Sequence, residues 1–280
     1  MVSISLLTMK GYIRLLRPVN AIMASLGTVI GGIVALESVK ALLNYKLYIA
    51  MLAVFFILMA GNIINDYFDL EIDRINHPNR PLPSGEISKG TASNIAIIFF
   101  TIGIILSFLL NNIIQVVIVI LAIALLISYE WKAKASGLIG NIIISFLVGL
   151  VFIFGSLSIR FSYIVVILAL MAILANLARE IVKDVEDVKG DINRKTLPKK
   201  IGIKLSIISA AFFIFIAISL SPVPYLYFGW KGWYVGVVAI ADLFFIFAAF
   251  YSFTDQSKGQ SFIKLAMIMG LIAFLVGGIL

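Results

Sequence analysis

Two short acidic segments carry the side chains best suited to chemistry in this sequence. The first reads NDYFDLEID, from Asn65 to Asp73, and the second reads KDVEDVKGD, from Lys183 to Asp191. Nine of the 14 acidic residues in the chain lie in Asp66–Asp73 and Glu180–Asp191. This concentration of carboxylates in a chain with few charges predicts that the two segments form one functional site.

The aspartates of the two segments share the spacing xDxxDxxxD. They are Asp66, Asp69 and Asp73 in the first segment and Asp184, Asp187 and Asp191 in the second. Steps of three and four residues return to one face of a helix, so each trio is predicted to form a stripe of carboxylates. Asn62 and Asn65 extend the first stripe, and Glu180 extends the second. Two solvated helix ends would explain one cluster of acids, but not the repeated spacing.

Two like-charged stripes repel each other unless a cation lies between them. Carboxylate oxygens without sulfur ligands suit a hard cation, and Mg²⁺ fits this donor set best. Since Mg²⁺ usually bridges protein carboxylates to substrate phosphates, the pattern predicts a diphosphate held between the two Asp-rich helix ends.

The composition is that of a membrane protein. Of the 280 residues, 62% are hydrophobic and 13% are charged, and the mean hydropathy is +1.11. A soluble domain carries about 25% charged residues, and several apolar runs here reach the ~20 residues that cross a bilayer as a helix. No cysteine is present, which excludes disulfides and thiolate metal sites, and the single histidine, His77, excludes a histidine-cluster metal site within one chain.

The apolar runs predict an all-α, polytopic bundle of about nine transmembrane helices. The whole chain, 1–280, is expected to be a single transmembrane domain, and the matched acidic segments suggest two similar halves, roughly 1–135 and 136–280. The predicted spans are Pro18–Ser38, Leu47–Phe68, Ala92–Leu110, Ile113–Tyr129, Leu138–Ser158, Ser162–Val182, Ile203–Leu220, Trp233–Phe253 and Phe262–Leu280.

The basic residues predict the orientation of this bundle. If the N-terminus is cytoplasmic, 18 of the 22 Lys and Arg residues lie on the cytoplasmic side, and only Lys40, Lys46, Arg160 and Lys231 lie on the other. This segregation follows the positive-inside rule and places both acidic segments at the cytoplasmic face. It also accounts for the net charge of +8 without nucleic acid. Trp230 and Trp233 are expected in an interfacial aromatic belt.

A proline-rich loop, DRINHPNRPLPSGEIS, follows the first acidic segment. Prolines fix φ and lower the entropy lost on ordering, so the loop is predicted to form a shaped cap over the acids, although an ordinary connector would also contain them. Arg80 is placed to fork onto a phosphate, whereas His77 is expected to be structural rather than a general base. For Lys195, in NRKTLPKK, anionic lipid headgroups are the alternative ligand. The candidate substrate-binding residues are Arg80, Lys134, Lys183, Arg74, Tyr129, Asn20, Asn62 and Lys195.

At these motifs the sequence resembles the UbiA superfamily of intramembrane prenyltransferases. NDYFDLEID fits the superfamily's NDxxDxxxD motif, and KDVEDVKGD with the following KTLP, HPNRPLPSG and RPVN also match. The resemblance implies Mg²⁺-dependent transfer of a prenyl group from a prenyl diphosphate to a lipid acceptor. It implies catalytic roles for Asp69, Asp73, Asp187 and Asp191, and a metal site formed by Asn65, Asp66, Asp69, Asp73, Asp184, Asp187 and Asp191. Either Asp184 or Asp187 could occupy one of the ligand positions, so the motif does not assign each metal ligand individually.

Within the superfamily, RPVNAIMASLGTVIGG and REIVKDVEDVKGD are most similar to the archaeal branch that makes ether lipids. That branch transfers a geranylgeranyl group from geranylgeranyl diphosphate to the hydroxyl of geranylgeranylglyceryl phosphate. The aromatic prenyltransferases of quinone and chlorophyll synthesis are the alternative. The resemblance implies a multi-pass protein of the cell membrane whose partners are these lipids, with no nucleic acid and no obligate protein partner.

Two other classes of membrane protein fit the sequence less well. Cation transporters place ionisable residues near the membrane midplane, whereas the acids here crowd one end and Asp242 is the main exception. CDP-alcohol phosphotransferases are also Asp- and Mg²⁺-dependent, but their DGxxAR motif is absent from this sequence. Intramembrane prenyl transfer is therefore the interpretation that the sequence favours.

Overall fold

The computed structural model describes residues 10–189 and 195–280, which form an all-α bundle without β-strands in that part of the chain. Nine helices in these ranges are long and apolar enough to cross a membrane. They are α1 (Pro18–Leu36), α2 (Tyr45–Phe68), α3 (Lys89–Leu109), α4 (Ile113–Trp131), α5 (Leu138–Leu157), α6 (Tyr163–Glu186), α7 (Ile203–Leu220), α8 (Gly232–Tyr251) and α9 (Gln256–Ile279). The predicted fold class is confirmed. The division into two similar halves stays a prediction.

Two helices extend further at the acidic end than the hydropathy pattern indicates. Helix α9 begins at Gln256 rather than Phe262, because the Asp255 side chain caps it by accepting a hydrogen bond from the backbone N–H of Lys258 (3.0 Å). Helix α6 continues to Glu186 rather than ending at Val182. Both extensions consist largely of polar residues, after the apolar run in α6 and before it in α9. A hydropathy pattern therefore does not detect them.

Helix α2 ends within the first acidic segment. Asp69 closes α2, and a short helix, Leu70–Asn76, follows directly, with the backbone N–H of Asp73 donating to the carbonyl of Asp69 (2.8 Å). The first trio of aspartates therefore spans a helix boundary rather than one uninterrupted helix.

Small residues allow α1 and α5 to cross closely. A Cβ atom added at Gly155 would overlap the carbonyl oxygen of Thr28, and one added at Gly31 would overlap the carbonyl oxygen of Phe152. Backbones approach this closely in membranes where glycine lines the helix interface. Because α1 also packs against α2 and α9, this crossing fixes the position of the segment that precedes α1.

The two tryptophans at the end of the bundle opposite the acids differ in exposure. Trp233 is 70% exposed, as an interfacial residue should be, but Trp230 is only 4% exposed. The Trp230 ring packs edge-on against Tyr234 and Phe274, and its Nε1–H donates to Glu37 Oε2 (3.3 Å). The assignment of Trp230 to an aromatic belt is thus wrong. The ring packs in the core and satisfies its N–H internally.

The α1–α5 crossing predicts a position-specific cost of adding a side chain. Gly155→Leu must separate two backbones, so we expect it to destabilise the protein by about 3 kcal/mol or more, at or beyond the upper end of ordinary overpacking. Gly236→Leu is the matched control, because Gly236 also lies in a spanning helix but has no atom within 4 Å of an added Cβ. Equilibrium unfolding in mixed micelles would measure both; equal losses would show that the crossing is not constrained.

Candidate active site

The buried carboxylate of Asp66 is held by basic side chains from two other segments. Its side chain is 2% exposed and forms an ion pair with Nη2 of Arg17, the residue that precedes α1. Nη1 of Arg80 lies 3.8 Å from the same carboxylate oxygen. Arg17 adopts a left-handed backbone conformation (φ 47°), which costs a non-glycine residue about 1 kcal/mol. This unfavourable conformation places its guanidinium against the first motif.

Arg80 joins the proline-rich loop to the same acids. Its Nη1 lies 2.5 Å from Oδ2 of Asp73, whose side chain is 5% exposed. The loop therefore folds back over the helix end, as the cap prediction requires. Removing Arg80 would leave the carboxylate of Asp73 without a cation at low solvent exposure, so the acid depends on the loop.

Asp69 has a different set of partners. Nζ of Lys134 lies 2.6 Å from Asp69 Oδ2 and 2.9 Å from Glu130 Oε2. The Asn65 amide donates to both carboxylates, at 3.3 Å to Asp69 and 2.9 Å to Glu130. One lysine thus bridges two carboxylates, one at the end of α2 and one on α4.

The second motif is held by α5 and α9. Oδ2 of Asp184 accepts a hydrogen bond from Asn141 Nδ2 (2.8 Å) in the first turn of α5, and the Gln260 amide donates to Glu186. Asp187 is exposed and follows α6 in a short 3₁₀ turn. Asp191 lies outside the described residues.

The connector between α4 and α5, residues 132–137, brings the two motifs to one end of the bundle. Its Lys134 contacts Asp69 of the first motif, and the carbonyl of its Ala135 accepts from the backbone N–H of Lys195 (2.9 Å), beyond the second motif. Asn141, four residues after the connector, reaches Asp184. The acidic segments, far apart in sequence, therefore share one set of neighbours.

Other residues chosen from the sequence have more peripheral positions. Asn62 donates to the carbonyl of Leu16 (3.0 Å), which makes it a brace for the N-terminal segment. Arg74 pairs with exposed Glu71 (3.0 Å) in the same short helix. Four more candidates are not deeply buried: Asn20, Lys183 and Lys195 are exposed, and Tyr129 is half-buried beside Gly140.

Three residues at the site were missed from the sequence as candidates. Arg17 had a signal, since it begins the RPVN motif, and Glu130 had one in its four-residue spacing before Lys134. Asn141 had none, because nothing in its own neighbourhood indicates a partner 43 residues away.

The donor chemistry of the site suits a hard divalent cation. Carboxylate and amide oxygens of Asn65, Asp66, Asp69 and Asp184 are the ligands that Mg²⁺ prefers. Within residues 10–189 and 195–280, no three acidic or histidine side chains lie close enough together to hold a metal ion. Lys134, Arg17 and Arg80 instead balance the acids of the first motif.

Comparison with known proteins defines the class to which this fold and site belong. Residues 25–275 match the model of the UbiA prenyltransferase family, and the chain belongs to that family. It is therefore a multi-pass membrane prenyltransferase.

The most similar relatives include digeranylgeranylglyceryl phosphate synthases of archaea. The protein of that name from Methanocaldococcus jannaschii is 40% identical, covering 97% of this chain and 97% of its own length. The one from Methanobrevibacter smithii is 38% identical over 96% of this chain and 98% of its own. A solved structure described as digeranylgeranylglyceryl phosphate synthase in membranes superposes with a TM-score of 0.87 at 39% identity, covering 97% of this chain and 99% of that one.

A more distant structure shares the fold. The UbiA homologue from Archaeoglobus fulgidus bound to GPP and Mg²⁺ has a TM-score of 0.70 at 20% identity and covers 94% of this chain and 99% of that one.

The Lys134 network predicts strong coupling between its members. Lys134→Met leaves Glu130, 8% exposed, without its cation, and we expect a loss of about 3 kcal/mol in unfolding free energy. Adding Glu130→Gln removes the uncompensated charge and should recover roughly half of that loss. Equilibrium unfolding of both single variants and the double variant measures the coupling. Additive losses would show that Lys134 and Glu130 do not act together.

Proposed function

We propose that this protein transfers a geranylgeranyl group from geranylgeranyl diphosphate to the hydroxyl of geranylgeranylglyceryl phosphate. Full-length similarity to relatives named digeranylgeranylglyceryl phosphate synthase carries the proposal. The meeting of both acidic motifs and three basic side chains at one end of a membrane bundle supports it. Both substrates are lipids with an anionic head, which suits a polar site at the end of an apolar bundle.

Mg²⁺ is the proposed cofactor, with ligands drawn from Asn65, Asp66, Asp69, Asp73, Asp184, Asp187 and Asp191. When bound, it would neutralise charge on the departing diphosphate. Asp69 and Asp73 of the first motif and Asp187 and Asp191 of the second are the proposed catalytic residues, acting as metal-binding carboxylates.

The basic side chains of the site bind the diphosphate in this proposal. Lys134, 13% exposed, presents its ammonium where it meets Asp69, and Arg80 presents a guanidinium where it meets Asp73. Guanidinium and ammonium groups held in advance at the position where negative charge develops favour the departure of the leaving group.

An apolar cavity lies along the same helices as the polar site. It has a volume of about 60 Å³ between α2, α4 and α5 and is lined by aliphatic side chains and Phe154. Its lining residue Leu58 lies seven positions before Asn65 on α2, which is about 10 Å along the helix at 1.5 Å per residue. The part of a prenyl chain that extends from the polar site into this cavity would contact apolar side chains, which exclude water.

The proposed reaction balances without an oxidant or reductant. The bond between C1 of the geranylgeranyl group and the diphosphate oxygen breaks, and its electron pair leaves with the diphosphate. The acceptor hydroxyl forms the new C–O ether bond to C1, and its proton passes to the departing diphosphate. Attack on an electron-poor allylic carbon acidifies that proton, so a dedicated strong base is not required.

Activity measurements test the proposal directly. Purified protein in detergent would receive Mg²⁺, radiolabelled geranylgeranyl diphosphate and one of three acceptors: geranylgeranylglyceryl phosphate, 4-hydroxybenzoate or dihydroxynaphthoate. We expect label to move only to the glyceryl phosphate, EDTA to abolish transfer, and Asp69→Ala and Asp187→Ala to lower kcat by at least about 100-fold, as expected for charge stabilisation at the leaving group.

Glu71→Gln is the matched control, since Glu71 lies in the same acidic segment but is 77% exposed and pairs only with Arg74 in the described structure. It should retain near wild-type activity. Transfer to an aromatic acceptor would move the protein to quinone synthesis, and Mg²⁺-independent transfer would contradict the metal assignment.

We also propose that the active site faces the cytoplasm, on the strength of the Lys and Arg distribution. The chain has no cysteine, so single cysteines report topology without background labelling. In intact cells, an impermeant maleimide should label Tyr227→Cys, 78% exposed at the opposite end, but not Ser84→Cys in the proline-rich loop until the cells are lysed. The reverse pattern would invert the orientation.

A further inference from the structure

A second cavity lies at Asp66 of the first motif, and Lys134 does not line it. It has a volume of about 320 Å³ and separates the N-terminal segment from the proline-rich loop, which places it within the ~300–1,000 Å³ range of small-ligand sites. Arg14, Arg17, His77, Arg80 and the carboxylate of Asp66 line it. Lys134, Asp69 and Glu130 are not among the lining residues, so this cavity is separate from the Lys134 network.

The charge on the cavity wall is predominantly positive. Three guanidinium groups and one imidazole face a single carboxylate, Asp66. Each arginine already has at least one acidic partner: Arg14 pairs with Glu86, Arg17 with Asp66, and Arg80 with Asp73 and, more distantly, with Asp66. A guanidinium has five N–H donors, and these three side chains remain 30% to 53% exposed. Donors therefore remain open to the cavity after the ion pairs are formed.

The walls of the cavity are positioned before any ligand arrives. Arg14 Nη1 donates to the carbonyl of Asn79 (3.2 Å), which ties the N-terminal segment to the loop. Pro78 and Pro81 limit the conformations of that loop around Arg80. Ordering the arginines in advance lowers the entropy cost of binding an anion between them.

We propose that this cavity binds the phosphate monoester of the lipid acceptor, apart from the diphosphate of the donor. The inference rests on the proposed function, because that reaction brings two anionic heads to one site. A phosphate monoester carries a charge of about −1.5 to −2 at pH 7 and accepts several hydrogen bonds, which matches a wall of guanidinium donors. The donor diphosphate has a basic partner outside the cavity in Lys134, which contacts Asp69, whereas Arg80 pairs with Asp73, lines the cavity and has N–H donors for both anions.

The sharpest test compares two acceptors that differ only in the phosphate. KM would be measured for geranylgeranylglyceryl phosphate and for geranylgeranylglycerol, with wild-type protein and with Arg14→Gln. We expect Arg14→Gln to raise KM for the phosphorylated acceptor by about 10- to 100-fold, the value of one lost charge-assisted hydrogen bond. KM for the alcohol and for geranylgeranyl diphosphate should stay within about 2-fold of wild type, because neither depends on this contact.

Two further variants separate phosphate binding from structural effects. Glu86→Gln removes the ion-pair partner of Arg14 but keeps the guanidinium, so it should preserve the preference for the phosphorylated acceptor. Lys258→Gln removes an exposed, ion-paired cation outside the cavity and should change nothing. If Glu86→Gln loses the preference as Arg14→Gln does, the effect belongs to the ion pair and the proposal fails. An increase in donor KM with Arg14→Gln would assign the cavity to the diphosphate and would also overturn it.

A binding measurement without metal distinguishes failure of this inference from failure of the proposed function. In EDTA, where transfer cannot proceed under the proposed mechanism, wild-type protein should bind radiolabelled geranylgeranylglyceryl phosphate at least 10-fold more tightly than the alcohol. Arg14→Gln should abolish that difference. This result would support the phosphate site even if the first assay found a different acceptor for transfer. Equal binding of the two lipids would refute the site. So would displacement of the radiolabelled lipid by the phosphodiester phosphatidylglycerol as effectively as by unlabelled geranylgeranylglyceryl phosphate.

Discussion

The pairing of each acid in the first motif with a cation from elsewhere in the chain is the interaction on which the site depends. Asp66 and Asp73 are almost fully buried, and a carboxylate at such exposure is strongly unfavourable without a partner. Their partners come from the segment before α1 and from the proline-rich loop. The acids therefore organise the N-terminal segment and the loop around the end of α2, rather than projecting freely into solvent.

The apolar part of the bundle supports this arrangement because it fixes the backbone positions of the basic residues. Arg17 precedes α1 directly, and α1 is held against α5 by contacts between backbones at Gly31 and Gly155. On the other side, Lys134 lies in a short 3₁₀ turn between α4 and α5. Since α5 takes part in both constraints, it positions the two basic partners that meet Asp66 and Asp69.

The sequence predicted the bundle well because its signals are local and strong. Nine apolar runs, separated by charged or polar segments, leave few alternatives for a helical membrane protein. The errors lie where polar residues begin or continue a helix, as at Asp255 and Glu186, and where an aromatic residue turns inward, as at Trp230. Composition does not distinguish an interfacial tryptophan from a buried one whose N–H donates to a carboxylate.

The site was only partly predictable for a different physical reason. Spacing identified the aspartates, since three- and four-residue steps are a property of one segment. Their partners depend on tertiary contacts: Lys134 lies 65 residues from Asp69, and Asn141 lies 43 from Asp184. The sequence indicates that Arg80 and Lys134 lie near the motif, but it does not indicate that Arg80 meets Asp73 and Lys134 meets Asp69.

The α4–α5 connector can couple ligand binding at the two motifs. Lys134 and Ala135 are adjacent, yet one contacts Asp69 and the other holds the backbone that follows the second motif. A ligand at one motif that shifts the backbone of this connector would also change the contact at the other motif, and so would change the affinity there. By linkage the effect is reciprocal. Ligand binding at the two motifs is then expected to be cooperative. The order in which the two lipids bind would affect the rate but not the final equilibrium.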